Sequence, residues 1–260
     1  MAALRVALVQ MAIADGEPQR NLDRALCLIA TQPADLYILP ELWTSGYAHA
    51  RWAAIADQET PVIGRELEHL AHERRAWIAG TMISRDAAGR LVNRLWLYSP
   101  NGGMPVTYDK AHLFAPMQED RRLEPGAARV RAPVGGWTAA LSICFDLRFP
   151  EMYRLDALAG AQLFIVPAEW PADRAEILET LARARAIENQ CYLALCNRVG
   201  CAADGTRFAG GSALLGPDGS VLAAAGEREG VVVGTARRAQ LTTTRGEGPH
   251  LTLRRPGIDW

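Results

Sequence analysis

Lysine is almost absent from this chain: among its 28 basic residues Lys110 is the single lysine, and the rest are arginine. Where a surface needs only positive charge the chain uses arginine. The compact ammonium at position 110 therefore implies a task that a wide guanidinium cannot do, such as meeting one developing negative charge in a tight pocket. Cysteine is scarce and odd in number, five in 260 residues. That excludes a disulfide framework, and Cys191, Cys196 and Cys201 lack zinc-binding spacing. The five histidines are scattered, so no metal site is expected. No apolar run approaches the roughly 18 residues of a membrane span. Leu4–Gln10 reads as a first strand and not as a signal peptide, so no membrane attachment and a cytoplasmic location are expected. A net charge of −1 leaves no electrostatic footprint for nucleic acid or an anionic membrane.

What is present reads as one α/β domain, for which 260 residues suffice. Its centre is the stretch Trp137–Pro150. After Gly135 and Gly136, a largely apolar run ends on Cys144 and turns through Phe145, Asp146, Leu147 and Arg148. Pro150 and Glu151 then suit the start of a helix. The junction at the carboxyl end of a strand is where open α/β sheets hold ligands, so Cys144 is a candidate nucleophile. A core cysteine capping a buried strand fits the same pattern.

Two further strands end on charged groups. A helix opening at Asn21 and closing at Pro33 precedes the strand Asp35–Pro40, which delivers Glu41. A helix over Pro61–Arg75 follows, then strands at Ala76–Ile83, Leu91–Tyr98 and Met104–Asp109, the last ending at Lys110. In a sheet with parallel strands, equivalent ends share one edge, so Glu41, Lys110 and Cys144 are expected to converge on one cleft. They supply a base, a cation and a nucleophile, and an unassisted thiol with a pKa of about 8.5 needs such help at neutral pH.

The segments Leu39–Trp43, Tyr108–Phe114 and Cys144–Pro150 resemble the three signature regions of the nitrilase superfamily of carbon-nitrogen hydrolases. Val166–Pro171 and Ala184–Gln190 extend the resemblance, which covers the chain to about Gly234. Within that superfamily the ω-amidase branch, acting on amides such as 2-oxoglutaramate, is the most similar. The resemblance implies a four-layer α-β-β-α sandwich, a homodimer or higher homo-oligomer, no cofactor and no metal. It also implies Glu41 as general base, Lys110 as oxyanion cation and Cys144 as nucleophile. Glu119 matches a second acid of the family, with Asp120 competing for that role. The chain departs from many relatives at Phe145, whose backbone NH is the implied oxyanion donor, and at Leu123. The implied function is hydrolysis of a small carboxamide through a Cys thioester, with release of ammonia. Nitrile hydrolysis, N-carbamoyl amide hydrolysis and a noncatalytic binding role are the alternatives.

Downstream, the strand Gln162–Pro167 brings Glu169 and Trp170 to its carboxyl end, where Trp170 suits either a pocket wall or ordinary packing. Asp173 and Glu176 have capping-box spacing for a helix with Ile177, Leu181, Ala184 and Ile187 on one face, and Arg183 and Arg185 on a solvated or interface face. Strands at Cys191–Cys196, Ser212–Leu215, Val221–Ala225 and Val231–Ala236 read as a second sheet or its edge. The hydrolase domain is thus 1–236, with 237–260 a weakly periodic arm suited to packing on a partner subunit. Arg148 is the candidate for a substrate carboxylate, against an ion pair with Asp146 or Glu151; Arg198 and Arg207 are further options.

Overall fold

The first strand, β1 (Ala3–Gln10), divides its side chains between two cores. Leu4, Val6 and Leu8 face one, Ala7 and Val9 the other, as the two-residue period of a strand dictates. The computed structural model describes residues 2–255. After β1 come α1 (Pro18–Ala30), β2 (Leu36–Ile38), the short α2 (Trp52–Ala54), α3 (Thr60–Arg74), β3 (Trp77–Arg85), β4 (Leu91–Tyr98) and β5 (Val106–Asp109). The second half holds β6 (Val130–Val134), β7 (Trp137–Leu141), α4 (Pro150–Leu158), β8 (Leu163–Ala168), α5 (Ala175–Asn189) and β9 (Tyr192–Asn197). It closes with β10 (Val199–Cys201), β11 (Arg207–Ala209), β12 (Ala213–Leu215), β13 (Val221–Ala224), β14 (Gly230–Arg237) and α6 (Arg238–Glu247).

One sheet has the order β14-β1-β2-β3-β4-β5 and the other β13-β12-β9-β8-β7-β6. Leu36, Ile38, Leu95 and Leu97 of the first meet Leu141, Leu163 and Ile165 of the second in the central core. Leu22, Ile29, Ile63 and Leu67 of α1 and α3 cover the far face of the first sheet. Met152, Ala157, Leu178 and Ala182 of α4 and α5 belong with the second. This is the expected α-β-β-α sandwich, in which each fully buried Leu or Ile contributes roughly 1.5–3 kcal/mol.

Five local expectations change. Helix α1 starts at Pro18, whose ring suits a first helical position. Asn21 lies inside it and bonds Ala14 N and O and Thr44 O, so it anchors the preceding loop instead of capping the helix. On α5, Ile177 and Ile187 are 41% and 42% exposed, whereas Leu178, Ala182 and Ala186 are buried. The expected apolar face points outward. Arg185, expected in solvent, is buried and donates to Leu147 O at 3.0 Å, tying α5 to the turn after Cys144. Strand β14 leaves the second sheet for the first, pairing with the whole of β1 from Ala3↔Arg237 to Gln10↔Gly230. Its valines satisfy an edge that local patterning does not reveal. Finally, the expected arm begins as α6, held to its own subunit by Arg245 donating to Gln190 O and Ala161 O. Residues 256–260 of that arm lie outside the described residues.

Candidate active site

Strand direction brings the three charged or nucleophilic ends together, across two sheets and not along the edge of one. β2 runs parallel to β3, while β4 reverses and β5 reverses again, so Glu41 and Lys110 leave the same edge of the first sheet. β7, β8 and β9 are parallel in the second, and deliver Cys144, Glu169 and Arg198 to the facing edge. A bond from Glu41 N to Ala168 O, 3.4 Å, crosses between them.

Lys110 extends β5 by donating its backbone NH to Asn93 O at 2.9 Å. Gly126 supports this segment from behind: its NH reaches Lys110 O at 2.8 Å, and a Cβ there would fall 2.1 Å from Asp109 O. The Lys110 ammonium lies 2.7 Å from Glu41 Oε1 and 2.7 and 2.9 Å from the two oxygens of Glu119. All three side chains are fully buried. Burial opposes the ammonium, but the two carboxylates outweigh it and raise its pKa. Burial likewise pushes the Glu119 carboxyl up, against the pull of Lys110. Asp120 is exposed, so the acid beside Lys110 is Glu119.

Cys144 sits where β7 has ended and a turn over Cys144–Arg148 begins, with its backbone at φ +44°. Such a conformation is sparsely populated for a residue with a side chain and costs of order 1 kcal/mol or more. The first hydrogen bond of the turn runs from Asp146 N to Ile143 O at 2.9 Å. The NH groups of Cys144 and Phe145 precede it and have no acceptor within the turn. Asp146 locks the turn to the lysine segment: it accepts from Ile143 N, Tyr108 hydroxyl and His112 N at 2.9, 2.7 and 3.0 Å. Burial, then Glu41, raise the thiol pKa well above its ordinary value, with Lys110 opposing. Glu41 and Lys110 thus act on the sulfur in opposite directions.

Cys144 forms the floor of a narrow pocket with about 250 Å³ of empty space. Phe114, Phe145, Trp170 and Pro171 line its apolar sides, and Arg148 and Arg174 supply positive charge. Trp170 is a wall, held by its NH on Asn197 Oδ1 at 2.8 Å and its indole on Arg174 O at 3.0 Å. The Arg148 guanidinium lies 5.2 Å from the Trp170 ring centre and makes no ion pair among the described residues. The pairing with Asp146 is lost because that carboxylate is taken by Tyr108 and His112. Glu169 contributes its backbone NH to Glu41 Oε2 at 2.9 Å, while its side chain binds Arg198 at 2.8 Å. Arg198 is fully buried between Glu169 and Asp15, so it does not face the pocket. Arg207 is exposed on the outer opening beside Arg174.

Asn93, Tyr47 and Arg174 were missed by sequence reasoning. Asn93 had a signal, a lone amide within the apolar run of β4, and its Nδ2 donates to Glu41 Oε1 at 2.8 Å. Tyr47 and Arg174 had none, since both reach the site from loops.

The carbon-nitrogen hydrolase family profile matches residues 5–246. The 2-oxoglutaramate amidase of Bacillus subtilis (strain 168) is 34% identical over 229 residues, covering 87% of this chain and 88% of that protein. Omega-amidase YafV of Escherichia coli (strain K12) is 37% identical over 228 residues, 86% of each. Among solved structures, a CN-hydrolase superfamily protein from Xanthomonas campestris superposes with a TM-score of 0.91 at 33% identity, covering 98% of both chains. Profile, relatives, sandwich and buried Glu-Lys-Cys cluster agree, and the chain belongs to the carbon-nitrogen hydrolase family.

Proposed function

We propose that this protein hydrolyses the ω-amide of a small 2-oxo acid such as 2-oxoglutaramate, with Glu41, Lys110 and Cys144 as its catalytic residues. The observation that carries this reading is a cysteine at the floor of a pocket too narrow for a large acyl group, set beside a fully buried Glu-Lys pair whose charges act on its sulfur. The relatives named as 2-oxoglutaramate amidase and omega-amidase support it.

In this mechanism Glu41 takes the thiol proton as Sγ bonds to the amide carbonyl carbon. The tetrahedral oxyanion is held by the Lys110 ammonium and the Phe145 NH. Its collapse breaks the C–N bond, and Glu41 returns the proton to the departing nitrogen, giving ammonia and a thioester on Cys144. Glu41 then removes a proton from water, which attacks the thioester; the C–S bond breaks, the sulfur regains a proton and the acid leaves. Glu119 holds Lys110 from the opposite side. Arg148, with Arg174, takes the substrate carboxylate, and the ring of Trp170 flattens the pocket against the acyl chain.

The protein acts in the cytoplasm as a homodimer or higher homo-oligomer. The exposed Leu155, Leu158, Ile177 and Ile187 of α4 and α5 supply an apolar face for a second copy.

The test is ammonia release from 2-oxoglutaramate, a nitrile and an N-carbamoyl amino acid, together with intact mass to detect an acyl adduct. Release from 2-oxoglutaramate and an adduct absent in Cys144→Ala support the reading. Turnover of the nitrile or carbamoyl compound alone overturns the substrate, and no turnover of any supports a binding role.

A further inference from the structure

Glu41 and Glu119 both touch Lys110, yet their remaining hydrogen bonds differ. Glu119 accepts four: from Lys110 Nζ on both oxygens, from the Tyr47 hydroxyl on Oε1 at 3.0 Å, and from Phe114 N on Oε2 at 2.7 Å. A carboxylate has about four acceptor positions, so Glu119 is saturated. Glu41 accepts three, from Lys110 and Asn93 on Oε1 and from Glu169 N on Oε2. Its open position is left for the thiol.

The ammonium has three N–H donors. Glu41 takes one. The two Glu119 oxygens lie 2.9 and 2.7 Å from the same nitrogen, and one N–H shared between them leaves the third for an oxyanion. We infer that Tyr47 is a positioning residue: its hydroxyl completes Glu119 and so keeps one Lys110 N–H aimed at the reacting oxygen.

The surroundings of Tyr47 fit this task. Its ring packs edge-on against His49, centres 5.8 Å apart, and tilted against Trp52 at 5.9 Å. Trp52 in turn donates to Gly46 O at 2.9 Å, and Gly46 adopts φ +50° against Asp15, where a Cβ would meet Oδ1 at 2.1 Å. The phenol is thereby fixed in direction by a loop that cannot shift without breaking these contacts. Burial, with the charges of Glu119 and Glu41, raises its pKa well above the ordinary value, so it stays a donor. Tyr47 does not line the pocket around Cys144, so it acts through Glu119 and not on the substrate.

The kinetic part of the test rests on the amidase reading; the chemical part does not. Tyr47→Phe removes one oxygen and keeps the ring packing. Its kcat for ammonia release from 2-oxoglutaramate falls about tenfold with KM within about twofold, the size expected for one hydrogen bond to a charged group. In a Glu119→Gln background the same change has no further effect, because the carboxylate it completes is gone. Independently, Glu119 released from Tyr47 draws the ammonium away from the sulfur, so alkylation of the Cys144 peptide by iodoacetamide slows about threefold in Tyr47→Phe, and not when Glu119 is already Gln. Equal losses in both backgrounds, or alkylation at the wild-type rate, overturn the inference. If wild type releases no ammonia, the amidase reading fails and the alkylation result alone decides the role of Tyr47.

Discussion

The side-chain amide of Asn93 lies 2.8 Å from Glu41 Oε1, the same oxygen that accepts the Lys110 ammonium at 2.7 Å. With that oxygen doubly occupied, the thiol proton goes to Oε2. Asn93→Ala frees Oε1 and lets the carboxylate rotate. We expect kcat to fall about tenfold to a hundredfold with little change in KM, read from initial rates of ammonia release. Asn93→Asp keeps the shape but adds a third negative charge to a sealed cluster, and its loss of stability shows in the urea midpoint.

Lys110→Arg preserves charge and loses activity. The ammonium is fully enclosed between two carboxylates, where a planar guanidinium has neither room nor a single N–H directed at the oxyanion. A fall of about a hundred- to thousandfold in kcat is expected, the loss typical of one oxyanion donor. Lys110→Met should also lower stability by about 3–5 kcal/mol, since it leaves two buried carboxylates with no cation. Chemical unfolding measures that difference.

Arg148 stands at the pocket wall against Trp170 and Phe145, and no carboxylate among the described residues pairs with it. Arg148→Ala should raise KM for 2-oxoglutaramate at least about tenfold while leaving an uncharged amide within about twofold, the split expected of a group that binds substrate charge in ground and transition states alike. Equal changes for both amides would assign Arg148 to packing.

Glu169 gives a pH dependence of stability. Burial raises its carboxyl from 4.5 to about 8, although Arg198 opposes the shift. The folded state therefore binds more protons than the unfolded state between those values, and the contribution of Glu169 to stability falls as pH rises from 4.5 toward about 8. Glu169→Gln mimics the protonated form. The melting temperature of wild type should fall more steeply than that of the variant between pH 5 and pH 8.5; parallel curves across that range would refute the assignment.

Much of this was legible along the chain. Cys144, Glu41 and Lys110 each follow a strand, and residues at such ends are placed by strand direction alone. The lone lysine announced itself against 27 arginines. The second acid was ambiguous between neighbours, because Glu119 and Asp120 differ only in which way a short turn points them. On α5 the period was read correctly and the burial was not. Ile177 and Ile187 do share a face, but a helix with apolar residues on several sides cannot declare which of them meets the sheet.

Local patterning thus gave most of the elements, their order and the three candidate side chains, because those depend on contacts a few residues apart and on chemistry that few residue types can perform. Tertiary packing settled the rest. It paired β14 with β1 across more than two hundred residues, brought Tyr47 and Asn93 onto the two glutamates, and turned Arg198 inward to Glu169 while leaving Arg148 at the pocket. Those outcomes depend on which polar groups find partners when two sheets exclude water between them, and a buried charge is committed only when that closure occurs.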